Sequence, residues 1–415
     1  MSTPGLKQVA HVVIIFQENR SVDNLFNGFP GADTAQSGPN SSGGTTALQP
    51  VDLAAPYDLD HSHHGFVTEY ANGSMNGFDL VGTSATCSAP CPPKNQRAYG
   101  YVPQSQTRAY WQMAQQFAFA DRMFQTNEGP SFPAHQYIIS GTALASPASP
   151  LLWAENPSVP GGGTTGGCDS PAGTSVALIN PSTGAETTTG APCGDHPALF
   201  DLLDQHGVSW RYYQPQLGAG LWHAPDALTH IRNGPDYANV HTPNTAIITD
   251  IAANALPAVS WVIPTSAASD HPLSTDGSGP EYVAAIVNAI GNSSYWNNTV
   301  IFVTWDDWGG WYDHVKPQQF NAAELGFRVP LIVISPFAKA GYVSHVQHEF
   351  GSLLKFTEQN FGLGSLGYTD ARADDLSDCF NFAQSPIAFR TIAATRRASY
   401  FLHLPPDERN PDDDF

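Results

Sequence analysis

A run of β-branched and apolar residues that ends in two adjacent carboxylates is the strongest constraint on how this chain folds. The segment 300–315, VIFVTWDDWGGWYDHV, passes from the apolar run into Asp306 and Asp307, then a glycine pair, then Asp313 and His314. Continuous apolar runs are typical of parallel strands covered on both faces. The two acids then lie at the rim of the sheet, where open α/β sheets bind ligands.

A second run near the N-terminus has the same form. The segment 11–19, HVVIIFQEN, ends in Glu18 and Asn19. Oxygen donors at the ends of two strands predict one metal site assembled from both ends of the chain. The alternatives are ordinary local structure: a solvated turn in which Asp306 caps the glycines, and a helix start with Asn19 or Ser21 as N-cap.

Adjacent aspartates after a buried strand repel each other unless a cation lies between them, which favours the metal interpretation of Asp306 and Asp307. A helix cap at Ser21 is compatible with it, since Glu18 and Asn19 can still point into the site.

Helix and strand patterns alternate along the chain. Short apolar or aromatic runs predict strands at 11–16, 209–213, 258–263, 300–305 and 329–334. Helical spacing of apolar residues predicts helices at 106–123, 197–206, 280–290 and 350–361. This alternation predicts an α/β fold with a mostly parallel, doubly wound sheet.

Glycine and proline are unusually abundant, at 71 of 415 residues (37 Gly and 34 Pro). This is about 17%, against roughly 12% in average proteins, and it indicates long ordered loops. We expect a single catalytic domain over residues 1–405 with inserted loops at about 28–60 and 145–195. Residues 406–415 form an acidic tail.

The formal charge of −20 excludes whole classes of partner. Such a chain repels nucleic acid and anionic membrane surfaces, and an anionic substrate needs local positive charge that a bound cation can supply. No run of about 18 apolar residues is present, so no stable membrane insertion is expected.

Five cysteines lie in loop-like sequence. Cys87 and Cys91 flank a tight turn, and Cys168 and Cys193 bracket a Gly/Thr/Ser-rich loop. We expect disulfides Cys87–Cys91 and Cys168–Cys193 with Cys379 free, hence an oxidising compartment and a secreted or periplasmic protein. The alternative is five free thiols in a cytosolic protein.

Ser131 is the candidate nucleophile. It follows a Gly-Pro turn and precedes Pro133, which is a normal helix start with serine as N-cap. The functional interpretation places its Oγ at the positive end of a helix dipole, where an alkoxide and an attached phosphate are stabilised. A metal-bound serine is a competent nucleophile.

Three histidines follow an aspartate in turn-rich sequence: His61, His271 and His314. A single histidine of this kind is usually structural or solvated, but three together predict a cluster that serves as acid, base or phosphate donor. The weaker candidates are His63, His64, His135, His345 and His348.

Six motifs occur in order: ENRSVD at 18–23, DHSHHGF at 60–66, GPSFPAHQYIISGT at 129–142, SDHP at 269–272, DDWGGWYDHV at 306–315 and RVPLIVISPFAKAGYVSH at 328–345. Together they resemble the phosphoesterase family of bacterial acid phosphatases and of bacterial and plant phospholipases C. This family belongs to the alkaline-phosphatase-like superfamily. The resemblance runs from about Val9 to about Phe382.

The resemblance implies a three-layer αβα sandwich, alkaline-phosphatase-like, and one divalent metal ion, with Mg, Mn, Ca and Zn all open. It makes Ser131 the nucleophile and a metal contact. The implied metal ligands are Glu18, Asn19, Asp306 and Asp307. The implied catalytic partners are His61, His271, His314 and Asp270.

The implied activity is hydrolysis of phosphoric esters through a phosphoserine intermediate. The Asp-Asp pair favours an acid phosphatase acting on small phosphomonoesters, because lipase members often have Asp-Glu. A phospholipase C is the alternative, and we expect it to show an apolar pocket mouth, from Phe26, Phe29, Trp222 or Trp308. A non-catalytic binding protein is the distant alternative, disfavoured by the intact ligands and nucleophile. The oligomeric state stays open.

Overall fold

The computed structural model describes residues 8–84, 87, 91–407 and 409. Its strands, numbered in chain order, are β1 His11–Gln17, β2 Ser37–Pro39, β3 Thr45–Ala47, β4 Gln49–Pro50, β5 Gly100–Tyr101, β6 Ala118–Phe124, β7 Leu152–Trp153, β8 Val176–Asn180, β9 Ala185–Gly190, β10 Trp210–Tyr213, β11 Val240–His241, β12 Val259–Val262, β13 Thr299–Trp305, β14 Arg328–Ile334, β15 Tyr342–Ser344 and β16 His348–Glu349.

The α-helices are α1 Val22–Leu25, α2 His63–Tyr70, α3 Arg108–Gln116, α4 Ser131–Ser140, α5 Leu199–Gln205, α6 Thr229–Arg232, α7 Ala246–Ala252, α8 Gly279–Gly291, α9 Phe350–Phe361, α10 Thr369–Arg372 and α11 Ala398–Leu402. Short 3-10 helices lie at Ala71–Gly73, Lys94–Gln96, Ala224–Ala227, Pro235–Asn239, Ser294–Asn298 and Ser377–Cys379.

A nine-stranded sheet forms the centre of the described structure. Its order is β11-β10-β12-β1-β13-β14-β6-β15, and β16 also pairs with β6. In the order of the sheet, the five strands β11, β10, β12, β1 and β13 are parallel. Strands β15 and β16 are parallel to β6, whereas β14 runs antiparallel to both its neighbours, β13 and β6. The mostly parallel sheet predicted from the sequence is confirmed.

Helices cover both faces of this sheet, as β13 shows. Phe302 packs edge-on against Phe356 of α9, and Trp305 packs edge-on against Tyr110 of α3. Side chains three positions apart on a strand point to opposite faces. The three-layer αβα arrangement follows, and all seven residues of β13 are buried.

The orientation of β14 differs from the prediction. The run 329–334 was expected to be a parallel strand, but it pairs antiparallel with β13 and β6. All seven residues of β14 are buried. A strand covered on both faces has the same apolar pattern in either direction, so the pattern alone does not determine its orientation.

The predicted helix 106–123 is wrong over its second half. Helix α3 ends at Gln116, and the remaining residues form the buried strand β6, which has strand neighbours on both sides. Short apolar runs fit either helix or strand, and here the pairing partners decide. Helix α9 has the bounds that were predicted.

Both segments that were expected to be loops contain strands. Strands β7, β8 and β9 form a separate three-stranded antiparallel sheet within 145–195. Strands β2 and β3 form a hairpin within 28–60, and β4 pairs with β5. Their small and threonine-rich residues give little hydrophobic alternation, which is the signal that strand prediction needs.

The expected disulfides are both present, Cys87–Cys91 and Cys168–Cys193, and Cys379 is a buried free thiol. Of the predicted acidic tail, residues 408 and 410–415 lie outside the described residues. None of the described helices is both long and apolar enough to cross a bilayer.

Candidate active site

The ends of β1 and β13 bring two distant acidic segments together. Gln17 is the register partner of Trp305 in this parallel pair, so Glu18 and Asp306 emerge side by side at the carboxyl edge of the sheet. The Asn19 backbone N–H donates to Asp306 Oδ1 over 3.0 Å. Asn19 has a φ of 62°, a left-handed conformation that asparagine tolerates better than most residues.

Asp307 is the centre of the hydrogen-bond network that joins these segments. Its Oδ1 accepts from Asn19 Nδ2 over 3.0 Å and from the Gly309 N–H over 2.7 Å. Its Oδ2 accepts from Ser131 Oγ over 3.3 Å. At Gly309, with φ of 65°, a Cβ would lie 2.3 Å from the Asn19 carbonyl oxygen. Only glycine permits this close approach.

Ser131 is the first residue of α4, and its hydroxyl does not cap the helix. The N-cap is Pro130, without a side-chain hydrogen bond. The Phe132 N–H is satisfied instead by Asn156 Oδ1 over 2.9 Å. The N-cap alternative for Ser131 is therefore wrong, and its buried Oγ is directed at Asp307.

His135 joins this group from the next turn of α4. Its Nε2 lies 3.4 Å from Glu18 Oε1 and 3.8 Å from Asp306 Oδ2. Burial lowers the pKa of His135 to about 4, so the ring is neutral at physiological pH and offers a lone pair. The sequence marked it only as a weaker candidate, although its i, i+4 spacing from Ser131 places both on one helix face.

The grouped donors fit a divalent cation. One ligand atom each from Glu18, His135 and Asp306 lies within 4.8 Å of the others, and all three residues are buried. Within the described residues, Asn19 Oδ1 and Asp306 Oδ2 are buried and make no hydrogen bond. Buried polar atoms are nearly always satisfied, and carboxylate, amide and imidazole donors suit divalent metals.

His61 and His271 flank the group, and each ring is held through its Nδ1 atom. Each donates from Nδ1 to a backbone carbonyl over 2.7 Å, His61 to Leu59 and His271 to Pro272. His61 Nε2 accepts from Asn19 Nδ2 over 3.0 Å. The two ring centroids are 5.8 Å apart. The His271 Nε2 lies 4.0 Å from Asp58 Oδ2, a carboxylate that sequence reasoning missed.

Asp270 does not join this group; it forms hydrogen bonds with residues of helix α3 and strand β13. Its Oδ2 accepts from Tyr110 Oη and Trp305 Nε1, each over 2.9 Å, and its carbonyl oxygen accepts from Arg20. Burial raises the pKa of Asp270 to about 6. These contacts position the loop that carries His271.

His314 belongs to a different ionic cluster. Its Nδ1 lies 2.6 Å from Asp23 Oδ2 and its Nε2 lies 3.0 Å from Asp33 Oδ1. Arg328 binds the neighbouring Asp313 through two hydrogen bonds. Both ring nitrogens of His314 are thus engaged by carboxylates that lie outside the Ser131–Asp307 group.

A cavity of about 630 Å³ lies beside the group and includes His61 and Pro130, the residue before Ser131. Its wall is largely polar or small. The other lining residues are Asp60, Ser62, His64, Glu155, Asn156, Ser158, Val159, Gly162, Gly163, Thr164, Ser175, Ala177 and Thr189. Strands β8 and β9 and the loop between β7 and β8 therefore form one side of the cavity.

Ionic contacts fasten this side to the His61 segment. His63 Nδ1 contacts Glu186 of β9, and its Nε2 lies 3.7 Å from Glu128 Oε2. His64 Nδ1 lies 3.1 Å from Glu155 Oε1. Burial acts to lower the pKa of His63, but the contacts with Glu128 and Glu186 prevail and raise it to about 10.

We expect His63→Gln to destabilise the protein at acidic and neutral pH. The folded state keeps the imidazolium up to about pH 10, whereas the unfolded chain loses it near 6.5. The contribution is complete below pH 6.5 and disappears as the pH rises to about 10. Removing one member of a buried pair costs about 3 kcal/mol, measurable by denaturant unfolding at pH 6.

The matched control is His64→Gln, because the His64 side chain is 77% exposed and exposed ion pairs contribute little. If His63→Gln unfolds like the wild type at pH 6, or with the same pH dependence, the ionic contacts of His63 do not fasten the cavity side.

Comparison with known proteins identifies the family. Residues 9–364 match the model of the phosphoesterase family. The chain belongs to this family. The match covers all six motifs, and it makes the protein a hydrolase that acts on phosphoric ester bonds.

Curated relatives of this phosphoesterase carry the name phospholipase C. Phospholipase C A of Mycobacterium tuberculosis is 26% identical over 93% of this chain and 80% of its own. Non-hemolytic phospholipase C of Pseudomonas aeruginosa is 26% identical over 91% and 58%. Non-specific phospholipase C6 of Arabidopsis thaliana is 23% identical over 90% and 72%.

Among solved structures, this phosphoesterase is similar to a protein in the alkaline phosphatase superfamily from Vibrio parahaemolyticus. The TM-score is 0.40, with 11% identity over 91% of this chain and 74% of the other.

Proposed function

We propose that this phosphoesterase is a metal-dependent acid phosphatase that hydrolyses phosphomonoesters through a phosphoserine intermediate. The observation that carries the proposal is the buried Ser131 Oγ, 3.3 Å from Asp307 Oδ2 at the start of α4. A hydroxyl held by a carboxylate beside grouped metal donors is the arrangement that activates a serine nucleophile.

Ser131, Asp307 and the metal ligands have separate roles in the reaction. Asp307 orients the Ser131 hydroxyl for in-line attack on phosphorus. The new Oγ–P bond forms as the bond to the leaving oxygen breaks and the hydroxyl proton passes to Asp307. Water then hydrolyses the phosphoserine, which releases phosphate and restores the hydroxyl. When bound by Glu18, Asn19, His135, Asp306 and Asp307, a divalent cation supplies charge neutralisation, which phosphoryl transfer needs more than covalent chemistry.

We assign His61 and His271 to the phosphoryl oxygens and the leaving group. Because their Nδ1 atoms donate to backbone carbonyls, Nε2 is the atom that faces away from the backbone in each ring. For His61, a contact with substrate would replace the hydrogen bond that Nε2 accepts from Asn19 Nδ2. Asp270 and His314 take positioning roles in this proposal.

The small and polar residues that predominate in the cavity lining support a small, soluble substrate. The four aromatic residues that could have formed an apolar mouth, Phe26, Phe29, Trp222 and Trp308, are all buried, at 0–5% exposure. A lipid substrate needs an apolar contact area near the opening, and these residues do not provide it.

Phospholipase C activity is the second candidate, because the relatives that match over more than 90% of this chain carry that name. A secreted or periplasmic location is part of both proposals and is supported by the two disulfides, which persist in oxidising compartments.

A substrate panel separates the two activities. We expect a soluble aryl phosphomonoester to be hydrolysed at least about tenfold faster, in kcat/KM, than diacylglycerol is released from phosphatidylcholine, which corresponds to about 1.4 kcal/mol in the barrier. Rates are measured from pH 4 to 9, with and without chelator. Faster release of diacylglycerol would assign the chain to the phospholipases C, and full activity after chelation would show that the activity requires no metal ion.

A further inference from the structure

A second group of metal-ligating side chains lies at the far edge of the sheet. One ligand atom each from His348, Asp378 and Cys379 lies within 4.8 Å of the others. His348 begins β16, which pairs with β6 as β15 does, and β6 is separated from β13 by β14. Because neighbouring strands lie about 4.8 Å apart, the strands β14 and β6 between β13 and β16 separate this group from the Glu18–Asp306 group.

The donors converge on one oxygen. His348 Nε2 lies 3.5 Å from Asp378 Oδ1, and Cys379 Sγ lies 3.6 Å from the same oxygen. His348 and Cys379 are buried, whereas Asp378 is 22% exposed. Nitrogen, oxygen and sulfur donors together are the ligand set of Zn²⁺ and similar borderline cations.

Surrounding groups hold these donors as they do in known metal sites. The hydroxyls of Ser344 and Tyr342 donate to Asp378 Oδ2, which leaves Oδ1 for His348 and Cys379. On the opposite side of the imidazole, Asp374 Oδ1 lies 2.9 Å from His348 Nδ1. Metal-binding histidines characteristically place their second nitrogen against a carboxylate.

The buried imidazole is not satisfied by this arrangement alone. Although Asp374 is close, His348 Nδ1 is out of hydrogen-bonding alignment and makes no hydrogen bond within the described chain. A buried, unsatisfied nitrogen is costly. On the other side of the ring, Nε2 lies 3.2 Å from Ser344 Oγ, so a cation at Nε2 would take the place of that hydroxyl. It would strengthen the attraction between the ring and Asp374 and neutralise the two nearby carboxylates, whose partial exposure leaves a route from solvent.

We propose that His348, Asp378 and Cys379 bind a zinc-class cation, with Asp374 as the carboxylate that orients His348 and one coordination position left for water. Binding releases the Cys379 thiol proton to solvent, since thiolate is the ligand form. The site ties residues 374–379 to the edge strands β15 and β16 and so protects an edge of the sheet. It is a site of stability, separate from the phosphoesterase chemistry.

Cobalt titration of the whole protein tests the site. Thiolate ligation gives Co²⁺ an intense near-ultraviolet charge-transfer band, and Cys379 is the one free thiol described. We expect the wild type to develop this band, Cys379→Ser and His348→Asn to lose it, and Glu18→Gln to keep it. Each of the first two variants should bind one Co²⁺ fewer than the wild type by native mass spectrometry.

The charge-matched control is Asp375→Asn against Asp378→Asn. Asp375 accepts only the Ser377 N–H among the contacts described, so its variant should keep the band that Asp378→Asn weakens. Absence of the band in the wild type, or its persistence in Cys379→Ser, overturns the proposal. Should a variant unfold, the wild-type spectrum and its Zn²⁺ stoichiometry by native mass spectrometry still decide the outcome.

Discussion

Ser131→Ala is expected to lower kcat for a phosphomonoester by about a thousand-fold or more, the scale on which loss of a catalytic nucleophile acts. The hydroxyl donates to Asp307 but does not cap α4, whose N-cap is Pro130. The helix start is therefore retained in the variant, and the loss falls on the chemical step. Initial rates at saturating substrate measure it.

Acid quenching with substrate labelled in the phosphoryl group gives a second measurement. The wild type should retain label on serine, and Ser131→Ala should not. The matched control is Ser140→Ala in the same helix, because Ser140 is also buried and its Oγ makes no hydrogen bond within the described residues. This control should keep full activity. Near wild-type turnover by Ser131→Ala would show that another group attacks phosphorus.

The sequence predicts those site residues whose positions follow from the ends of strands. The runs before Glu18 and Asp306 are apolar without interruption, and parallel strands of this kind end at the same edge of a sheet. Gln17 and Trp305 are register partners for this reason. The amino-acid pattern by itself is therefore enough to assign two segments, nearly three hundred residues apart, to one group.

The parts that the sequence does not predict depend on tertiary partners. The sequence marks His135 only as a weaker candidate and His314 as one of three catalytic histidines, yet the ring of the first lies 3.4 Å from Glu18 and that of the second contacts Asp23 and Asp33. A neighbouring aspartate in the sequence carries no information about which distant carboxylate a ring will face. Likewise, strand β6 exists because β14 and β15 flank it, not because of its own periodicity.

The replacement Asp306→Asn should raise the stability of the protein when the metal is chelated and lower its activity when the metal is present. Asparagine can keep the hydrogen bonds that Oδ1 accepts from the Asn19 and Asp307 N–H groups. It replaces Oδ2, which lies 3.8 Å from His135 Nε2 and beside Glu18, by a neutral amide. Removing one of several close buried carboxylates relieves like-charge repulsion, so the chelated variant should be about 1 kcal/mol more stable than the chelated wild type.

With Mg²⁺ or Mn²⁺ present, the same variant should lose activity by about a hundredfold or more, the loss expected when a metal-site contact is removed. It should also lose most of the rise in unfolding temperature that the metal gives the wild type, because binding to the folded state is what stabilises it. Thermal unfolding with chelator and with added metal measures the stability effects, and initial rates under the same conditions measure the activity.

Asp313→Asn supplies the contrast within the same loop. Asp313 binds the buried Arg328 through two hydrogen bonds. Its neutralisation leaves the guanidinium with the more distant Asp23 carboxylate, 3.6 Å away, and should cost about 3 kcal/mol, with the metal-induced shift retained. Both variants replace an aspartate with asparagine, but the changes in stability predicted for them in chelator have opposite signs. If Asp306→Asn is instead destabilised like Asp313→Asn and still responds to metal, then Asp306 is a structural carboxylate and the cation lies elsewhere.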